Sequence, residues 1–111
     1  MIKHIVMLDL PDDYDREELA DIMKDLDGLR SSILGFRRLE HGPNKDFEGM
    51  SQNCAYAFIC HFADEETSRR YIVDPGHNAL GQRLVNMCKG GVKGITVVDM
   101  DLTLPTRIAA E

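Results

Sequence analysis

The stretch that decides the fold is Cys54-Ala-Tyr-Ala-Phe-Ile-Cys-His-Phe62. Side chains in a strand alternate between the two faces of a sheet, so large and small residues at alternate positions separate into two surfaces. We predict a strand over residues 54–62 with a large face that fills a core and a small face that permits close approach of a neighbour. The large face carries Cys54, Tyr56, Phe58, Cys60 and Phe62, and the small face carries Ala55, Ala57, Ile59 and His61.

The residues before this strand predict two more strands and a helix. Residues 2–10 have apolar side chains at both odd and even positions, which is typical of a strand buried on two sides. Asp15 followed by Glu18 resembles a capping box, and an apolar period continues to Ile33, with Gly28 as the point where the helix bends or ends. We expect a short, polar second strand over 36–41 near a sheet edge, and a loop over 42–53.

The residues after it predict two helices and a final strand. Asp64 is suited to cap a helix that runs to Tyr71 or Val73. We expect a turn at residues 74–76, then a helix over 78–88 that stops at Gly90-Gly91. A last strand over 92–102 again has apolar residues at both parities, and residues 103–111 are expected to be a C-terminal tail.

The predicted order β-α-β-β-α-β is that of an α+β, ferredoxin-like protomer with a four-stranded antiparallel sheet, here in one domain over residues 1–102. Helices in this arrangement cover only one face of the sheet. Because three strands look apolar on both faces, we expect a second copy of the chain to cover the other face. We therefore predict a homodimer that forms through the sheet faces, with Ala57, Ile59 and His61 at the interface.

Composition excludes several classes of function. The chain of 111 residues carries 13 Lys and Arg against 19 Asp and Glu, a net charge of -6 that disfavours nucleic acid and anionic membrane surfaces as partners. No apolar run is long enough for a membrane span, and three cysteines without metal-site spacing indicate reduced thiols, so we expect a cytoplasmic protein. The histidines form no short ligand pair; Asp99 and Asp101 share a strand face, but such carboxylates usually face water. We expect no metal and no cofactor.

Four short segments resemble a known family, the stress-responsive dimeric α/β-barrel (Dabb) domain. They are Met1-Ile2-Lys3-His4-Ile5-Val6, Phe62-Ala63-Asp64-Glu65-Glu66, Tyr71 with Asp74-Pro75-Gly76-His77, and Val97-Val98-Asp99. The resemblance extends over residues 1–102. It implies a ferredoxin-like protomer and a dimeric α/β barrel closed by the two sheets.

The resemblance also implies candidate site residues. Family members include plant stress-induced proteins and a plant polyketide cyclase that closes a ring by an aldol reaction without cofactor, using a tyrosine and a histidine that match Tyr71 and His77. His4 matches a further pocket histidine. This chain departs from the common pattern at Asp74, where many members have a histidine. It departs again at Tyr56 and Phe58, candidate ligand-binding residues where the cyclase has a smaller or different lining.

The chemistry of these residues leaves two alternatives open. A histidine near a helix start is kept neutral and able to act as a base, and a tyrosine hydroxyl can donate to a carbonyl oxygen as an enolate forms. In the plainer alternative His77 caps its helix, Tyr71 is a core aromatic and His4 a satisfied core residue. The chain is then either a dimeric stress-responsive protein with a cavity for a small apolar or aromatic ligand, or a cofactor-independent cyclase-like or monooxygenase-like enzyme. An open cavity in which Tyr71 faces His77 favours the enzyme, and one filled by Tyr56, Phe58 and Met23 favours a structural role.

Overall fold

The computed structural model describes residues 1–103, which form four strands and three α-helices. The strands are β1 (Ile2–Leu8), β2 (Phe36–Pro43), β3 (Tyr56–Phe62) and β4 (Ile95–Asp101), and the α-helices are α1 (Arg16–Gly28), α2 (Glu65–Val73) and α3 (Pro75–Met87). Short 3-10 turns follow α1 at Leu29–Ser31 and precede β4 at Gly91–Gly94. The predicted tail, residues 103–111, lies outside the described residues apart from Thr103.

The strands form one antiparallel sheet in the order β2-β3-β1-β4. In its register Ile5 of β1 lies opposite Ile59 of β3 on one side and Val98 of β4 on the other. A bulge between Phe36 and Arg38 shifts β2 by one residue. This strand order and the helices beside it confirm the predicted α+β, ferredoxin-like fold.

The core lies between the sheet and the helices. From β3 it takes the large face that the sequence predicted, with Phe58, Cys60 and Phe62 each at most 3% exposed. The apolar stripe of α1 packs against this face through Leu19, Ile22, Met23 and Leu26. Burial of such side chains stabilises the fold by about 1.5–3 kcal/mol each, so the packing of α1 on the sheet contributes much of the stability of the fold.

The prediction of a turn at residues 74–76 is wrong. Pro75 is the first residue of α3, and the Asp74 side chain caps that helix. Proline is tolerated at this position because the first amides of a helix have no intrahelical partner, and its fixed φ already suits the helix. The helix that carries His77 therefore begins earlier than its apolar period indicates.

Other predicted boundaries shift by a few residues. α1 ends at Gly28, as the glycine suggested, and a 3-10 turn replaces its predicted last turn. β1 ends at Leu8, β2 continues to Pro43 and β3 begins at Tyr56. β4 begins only at Ile95, because residues 91–94 form a 3-10 turn.

The sheet face that points away from the helices is covered by no helix of the described chain, and the β2–β3 loop borders part of it. We call it the open face, and it carries alternate residues of the strands: Lys3, Ile5, Met7, Arg38, Glu40, Ala57, Ile59, His61, Thr96, Val98 and Met100. Its centre is apolar, and Val98 and Met100 are 46% and 40% exposed. Within residues 1–103, no helix has the length and apolar character needed to span a bilayer.

Candidate functional site

A cavity of about 360 Å³ lies between α3 and the β1–β4 half of the sheet. Its walls are mainly aliphatic, with Val6, Leu26, Leu84, Val85 and Val97 among them. Its polar side chains are Tyr71, His77, His4, Asn78 and Gln82, and no lysine, arginine, aspartate or glutamate is among its described lining residues. An apolar cavity of this size with a few convergent polar groups is the usual form of a small-molecule site.

The aromatic rings of Tyr71, His77 and His4 meet in this cavity. The Tyr71 and His77 ring centroids are 4.0 Å apart with a 35° angle between the planes. His4 approaches the same tyrosine edge-on, with a centroid separation of 5.4 Å. The structure thus brings together the three residues that the family resemblance singled out.

The start of α3 fixes the position of His77. Asp74 Oδ2 accepts a hydrogen bond from the backbone amide of His77 at 2.9 Å, as a helix cap does. Gly76 between them is held tightly, since a Cβ there would lie 3.0 Å from both the Asp74 carboxylate and a Leu29 methyl group. These local contacts hold the His77 backbone beside Tyr71, at the carboxyl end of α2.

The imidazole of His77 is set up to be neutral. Its Nδ1 is buried and has no hydrogen-bond partner among the described residues. Burial, and to a smaller extent the nearby charge of His4, lowers the pKa of His77 below its usual value of 6.5. A neutral imidazole at pH 7 can accept a proton or hydrogen-bond a ligand.

Tyr71 is set up to remain protonated. The side chain is only 1% exposed, and burial raises the pKa of its hydroxyl. The hydroxyl oxygen accepts a weak hydrogen bond from the Cys60 thiol, with an Sγ–O distance of 3.8 Å. Among the described residues no acceptor takes the Tyr71 proton, which leaves it for donation to an oxygen atom in the cavity.

His4 has a charged partner outside the cavity. Its Nδ1 lies 2.7 Å from Oδ1 of Asp99 on the neighbouring strand β4. An ionised carboxylate only accepts hydrogen bonds, so Nδ1 of His4 carries a proton and donates a hydrogen bond to Asp99. The His4 side chain is 12% exposed and Asp99 is 53% exposed, so the pair links the cavity with the surface.

The other predicted site residues lie at separate places. Phe58 lines the cavity, whereas Tyr56 and Met23 do not. The Tyr56 hydroxyl instead lies 2.6 Å from His41 Nδ1 at the other end of the sheet. Of these two aromatic residues of β3, Phe58 therefore belongs to both the core and the cavity wall, and Tyr56 only packs against the core.

The three residues predicted at the dimer interface all belong to the open face. Ala57 and Ile59 are partly exposed there, and His61 is 7% exposed with its Nε2 2.7 Å from Glu40 Oε1. A second, larger concavity of about 710 Å³ adjoins this face, between Ile5, Met7 and the β2–β3 loop. It differs in character from the first cavity, because none of the four histidines is among its lining residues and it adjoins the open face.

Sequence reasoning missed two features of the cavity. From the sequence, Asp99 is considered only as a possible cation ligand, whereas in the structure it orients His4. Within residues 1–103 no group of three or more potential metal ligands occurs. The parity of β4, which puts Asp99 on the same face as Val97, was the available signal. Gly81, which lines the cavity, was overlooked because a glycine within an apolar helical period carries no chemical signal.

Comparisons with known proteins identify relatives over nearly the whole chain. A family model described as the stress responsive A/B barrel domain matches residues 2–102. A dimeric ferredoxin-like protein of unknown function from Jannaschia sp. CCS1 is 37% identical, with 91% of this chain and 98% of that chain covered and a TM-score of 0.84. Among curated proteins no match is found.

Two enzymes of lower identity share the fold. A hydroxynitrile lyase from Passiflora edulis is 14% identical, with a TM-score of 0.73 and coverage of 94% of this chain and 96% of that chain. SnoaB, a cofactor-independent oxygenase from Streptomyces nogalater, is 12% identical, with a TM-score of 0.70 and 95% of each chain covered. At such identities the likeness shows the fold alone.

Proposed function

The chain belongs to the stress-responsive A/B barrel domain family, and from this membership and the geometry of its cavity we propose that it binds a small, neutral, largely apolar molecule. The observation that carries the proposal is the contact between Tyr71 and His77, with ring centroids 4.0 Å apart inside an aliphatic cavity. Two polar side chains facing one apolar space can fix the orientation of a ligand that the aliphatic walls hold.

The lining defines the chemistry of the ligand. The Tyr71 hydroxyl offers a proton, and the unpartnered Nδ1 of His77 is a polar atom whose burial is costly unless a ligand or water satisfies it. A carboxylate or phosphate would enter a space without any lysine or arginine among its described lining residues, and desolvation of that charge is unfavourable. A neutral aromatic compound with a carbonyl or hydroxyl group fits both conditions.

We also propose that the protein acts as a cytoplasmic homodimer, with residues 1–102 as one domain of a dimeric α/β barrel. The support is the open face, where Ile5, Ile59 and Val98 form an apolar centre that a single chain leaves in water. The β2–β3 loop beside it presents Phe47 and Met50, which are 94% and 77% exposed. A second copy packed sheet to sheet would cover this surface, and the Jannaschia relative is described as dimeric.

Binding can be tested with prodan, a neutral naphthyl ketone whose fluorescence shifts to shorter wavelength in an apolar site. We expect wild-type protein to produce the shift and to gain thermal stability as prodan is added, since a ligand that binds only the folded state stabilises it. The His77→Ala variant should bind clearly more weakly. A wild-type protein that leaves the spectrum unchanged would refute the proposal.

The matched control is His41→Ala. His41 is an exposed histidine of β2 that does not line the cavity. It should bind prodan like the wild type, whereas equal losses in both histidine variants would indicate nonspecific binding. Circular dichroism and the thermal midpoint establish that each variant is folded before its affinity is compared.

A second function, cofactor-independent catalysis, is favoured by the neutral imidazole of His77 beside the protonated hydroxyl of Tyr71 in the same cavity. The His4–Asp99 pair lies at the edge of this cavity, where Asp99 orients His4 and not His77. In a cyclase-like reaction His77 removes a proton from a carbon next to a carbonyl, and Tyr71 donates a hydrogen bond to the oxygen on which negative charge develops. In a monooxygenase-like reaction the same proton removal prepares a carbanion for reaction with dioxygen.

Proton removal can be measured without knowledge of the natural substrate. Benzoylacetone is a neutral β-diketone, and NMR follows exchange of its acidic protons for deuterium in D₂O. The enzyme alternative predicts faster exchange with the wild type than with Tyr71→Phe or His77→Ala, and exchange at the buffer rate would exclude this chemistry on diketones. Oxygen uptake with anthrone tests the monooxygenase-like alternative in the same variants.

A further inference from the structure

Gly81 lies within α3 on the side of the helix that lines the cavity. It follows His77 by four residues, so the two positions are neighbours on one helix face. Glycine within a helix destabilises it relative to alanine, because the unfolded chain has more freedom to lose. A glycine at this position therefore calls for a reason.

The described chain supplies no packing reason. A Cβ built on Gly81 would have no atom within 4 Å, and its backbone is not in the left-handed region that favours glycine. Gly76, by contrast, is closely surrounded, since a Cβ there would lie 3.0 Å from the side chains of Asp74 and Leu29. What a side chain at position 81 would occupy is the empty space of the cavity.

We propose that Gly81 is a specificity-determining residue, whose missing side chain gives the cavity room for a bicyclic ligand beside His77. The inference rests on the proposed binding function and adds the size of the ligand to it. The cavity of about 360 Å³ is bounded by α3 on one side and by Ile95 and Val97 of β4 on the other. A larger side chain at position 81 narrows the gap between these walls and leaves space for a single ring.

The test compares Gly81→Ala and Gly81→Leu with the wild type, using prodan as the bicyclic ketone and acetophenone as the single-ring ketone. Prodan is followed by fluorescence and acetophenone by its displacement of prodan or by ligand-observed NMR. We expect Gly81→Leu to weaken prodan binding about tenfold or more, since forcing a bulky group into a filled site is costly. Acetophenone binding should change much less.

Thermal stability supplies a second, independent readout. Alanine at position 81 has space for its methyl group and a better helix propensity, so Gly81→Ala should raise the thermal midpoint while it weakens prodan binding. The matched control is Gly28→Ala in α1, where a Cβ also meets nothing within 4 Å and the residue itself does not line the cavity. That variant should leave both affinities unchanged.

The outcomes separate this inference from the function it builds on. Wild-type binding of both ketones with equal binding by Gly81→Leu would overturn the role of Gly81 alone. A fall in the thermal midpoint of Gly81→Ala would also overturn the proposed role of Gly81, because it would mean that the glycine is needed for packing of the folded chain. Failure of the wild type to bind either ketone would refute the binding function and the inference together.

Discussion

Asp74 caps the helix that carries His77: its Oδ2 accepts the backbone N–H of His77 at 2.9 Å. At Asp74 the sequence departs from a common family pattern, and the structure gives the departure a physical role. The carboxylate satisfies an amide that the helix leaves unpaired, and Pro75 after it starts the helix without losing a hydrogen bond. The position of the candidate base therefore depends on a residue that does not line the cavity.

Replacement of Asp74 by alanine should destabilise the fold by about 1 kcal/mol, the usual cost of a lost helix cap. Asp74→Asn should recover most of the loss, because asparagine caps equally well. Chemical unfolding monitored by circular dichroism measures both. Equal destabilisation by the two variants would mean that the charge of Asp74, rather than its cap, is what matters.

Replacement of Asp99 by asparagine should change the tautomer of His4. The carboxylate now holds the proton on Nδ1, and an amide can accept or donate, so the preference should weaken. Nitrogen-15 NMR of the histidine rings reports the tautomer directly. Asp101→Asn, two residues along the same strand face, is the control and should leave His4 as it is.

Removal of the Tyr71 hydroxyl should weaken ketone binding without disturbing the core. Phenylalanine preserves the ring contacts with Phe62 and His77 and gives up only the weak contact with Cys60. A neutral hydrogen bond contributes about 0.5–1.5 kcal/mol, so prodan should bind Tyr71→Phe about 2- to 12-fold more weakly. Unchanged affinity would place the ligand carbonyl away from Tyr71.

The lowered pKa of His77 predicts acid sensitivity. Because the folded state favours the neutral imidazole, the unfolded state binds more protons once the pH falls below the usual histidine pKa of 6.5. The free energy of unfolding should decline below that pH and level off below the folded-state pKa. Carboxylates with lowered pKa values, such as Glu18 and Asp64, lose their contribution only at more acidic pH.

The measurement for this effect is the thermal midpoint of wild type and His77→Gln between pH 7 and pH 5. The variant should show a flatter dependence, and His41→Gln, altered at an exposed histidine, should follow the wild type. If His77→Gln and wild type decline in parallel, the acid sensitivity belongs to other groups.

A charge in the centre of the open face should prevent dimer formation. In Ile59→Asp the new carboxylate lies between Ile5 of β1 and Glu40 of β2. A partner sheet would bury this charge without a counter-charge beside it. Light scattering or sedimentation should give the mass of a single chain for this variant. Leu34→Asp, at a residue 83% exposed outside the sheet, is the control and should keep the wild-type mass, while a dimeric Ile59→Asp would refute the sheet-to-sheet arrangement.

The sequence predicted the fold well where side-chain alternation was strong. In β3 the large and small faces separated as expected, because Phe58, Cys60 and Phe62 are buried while Ala57 and Ile59 are partly exposed. The predicted ends of the elements were wrong where local helix capping determines them. The sequence predicts a turn at Asp74 and Pro75, whereas in the structure Asp74 caps α3 and Pro75 is its first residue.

The site was predictable only in part, for a physical reason. His77 and Tyr71 are six positions apart on two different helices, so no helical period brings them together; the kink between α2 and α3 does. The His4–Asp99 contact joins strands 95 residues apart, and only the sheet register creates it. Family resemblance supplied the first grouping, and neither periodicity nor composition indicated the second.

Strand β4 is a wall shared by two compartments. Val97 faces the cavity and its neighbour Val98 faces the open side of the sheet. A displacement of this edge strand moves both residues at once, so an occupant of the cavity and a partner on the sheet act on the same element. If ligand binding changes the affinity between subunits by a given factor, thermodynamic reciprocity requires that subunit association changes the affinity for the ligand by the same factor.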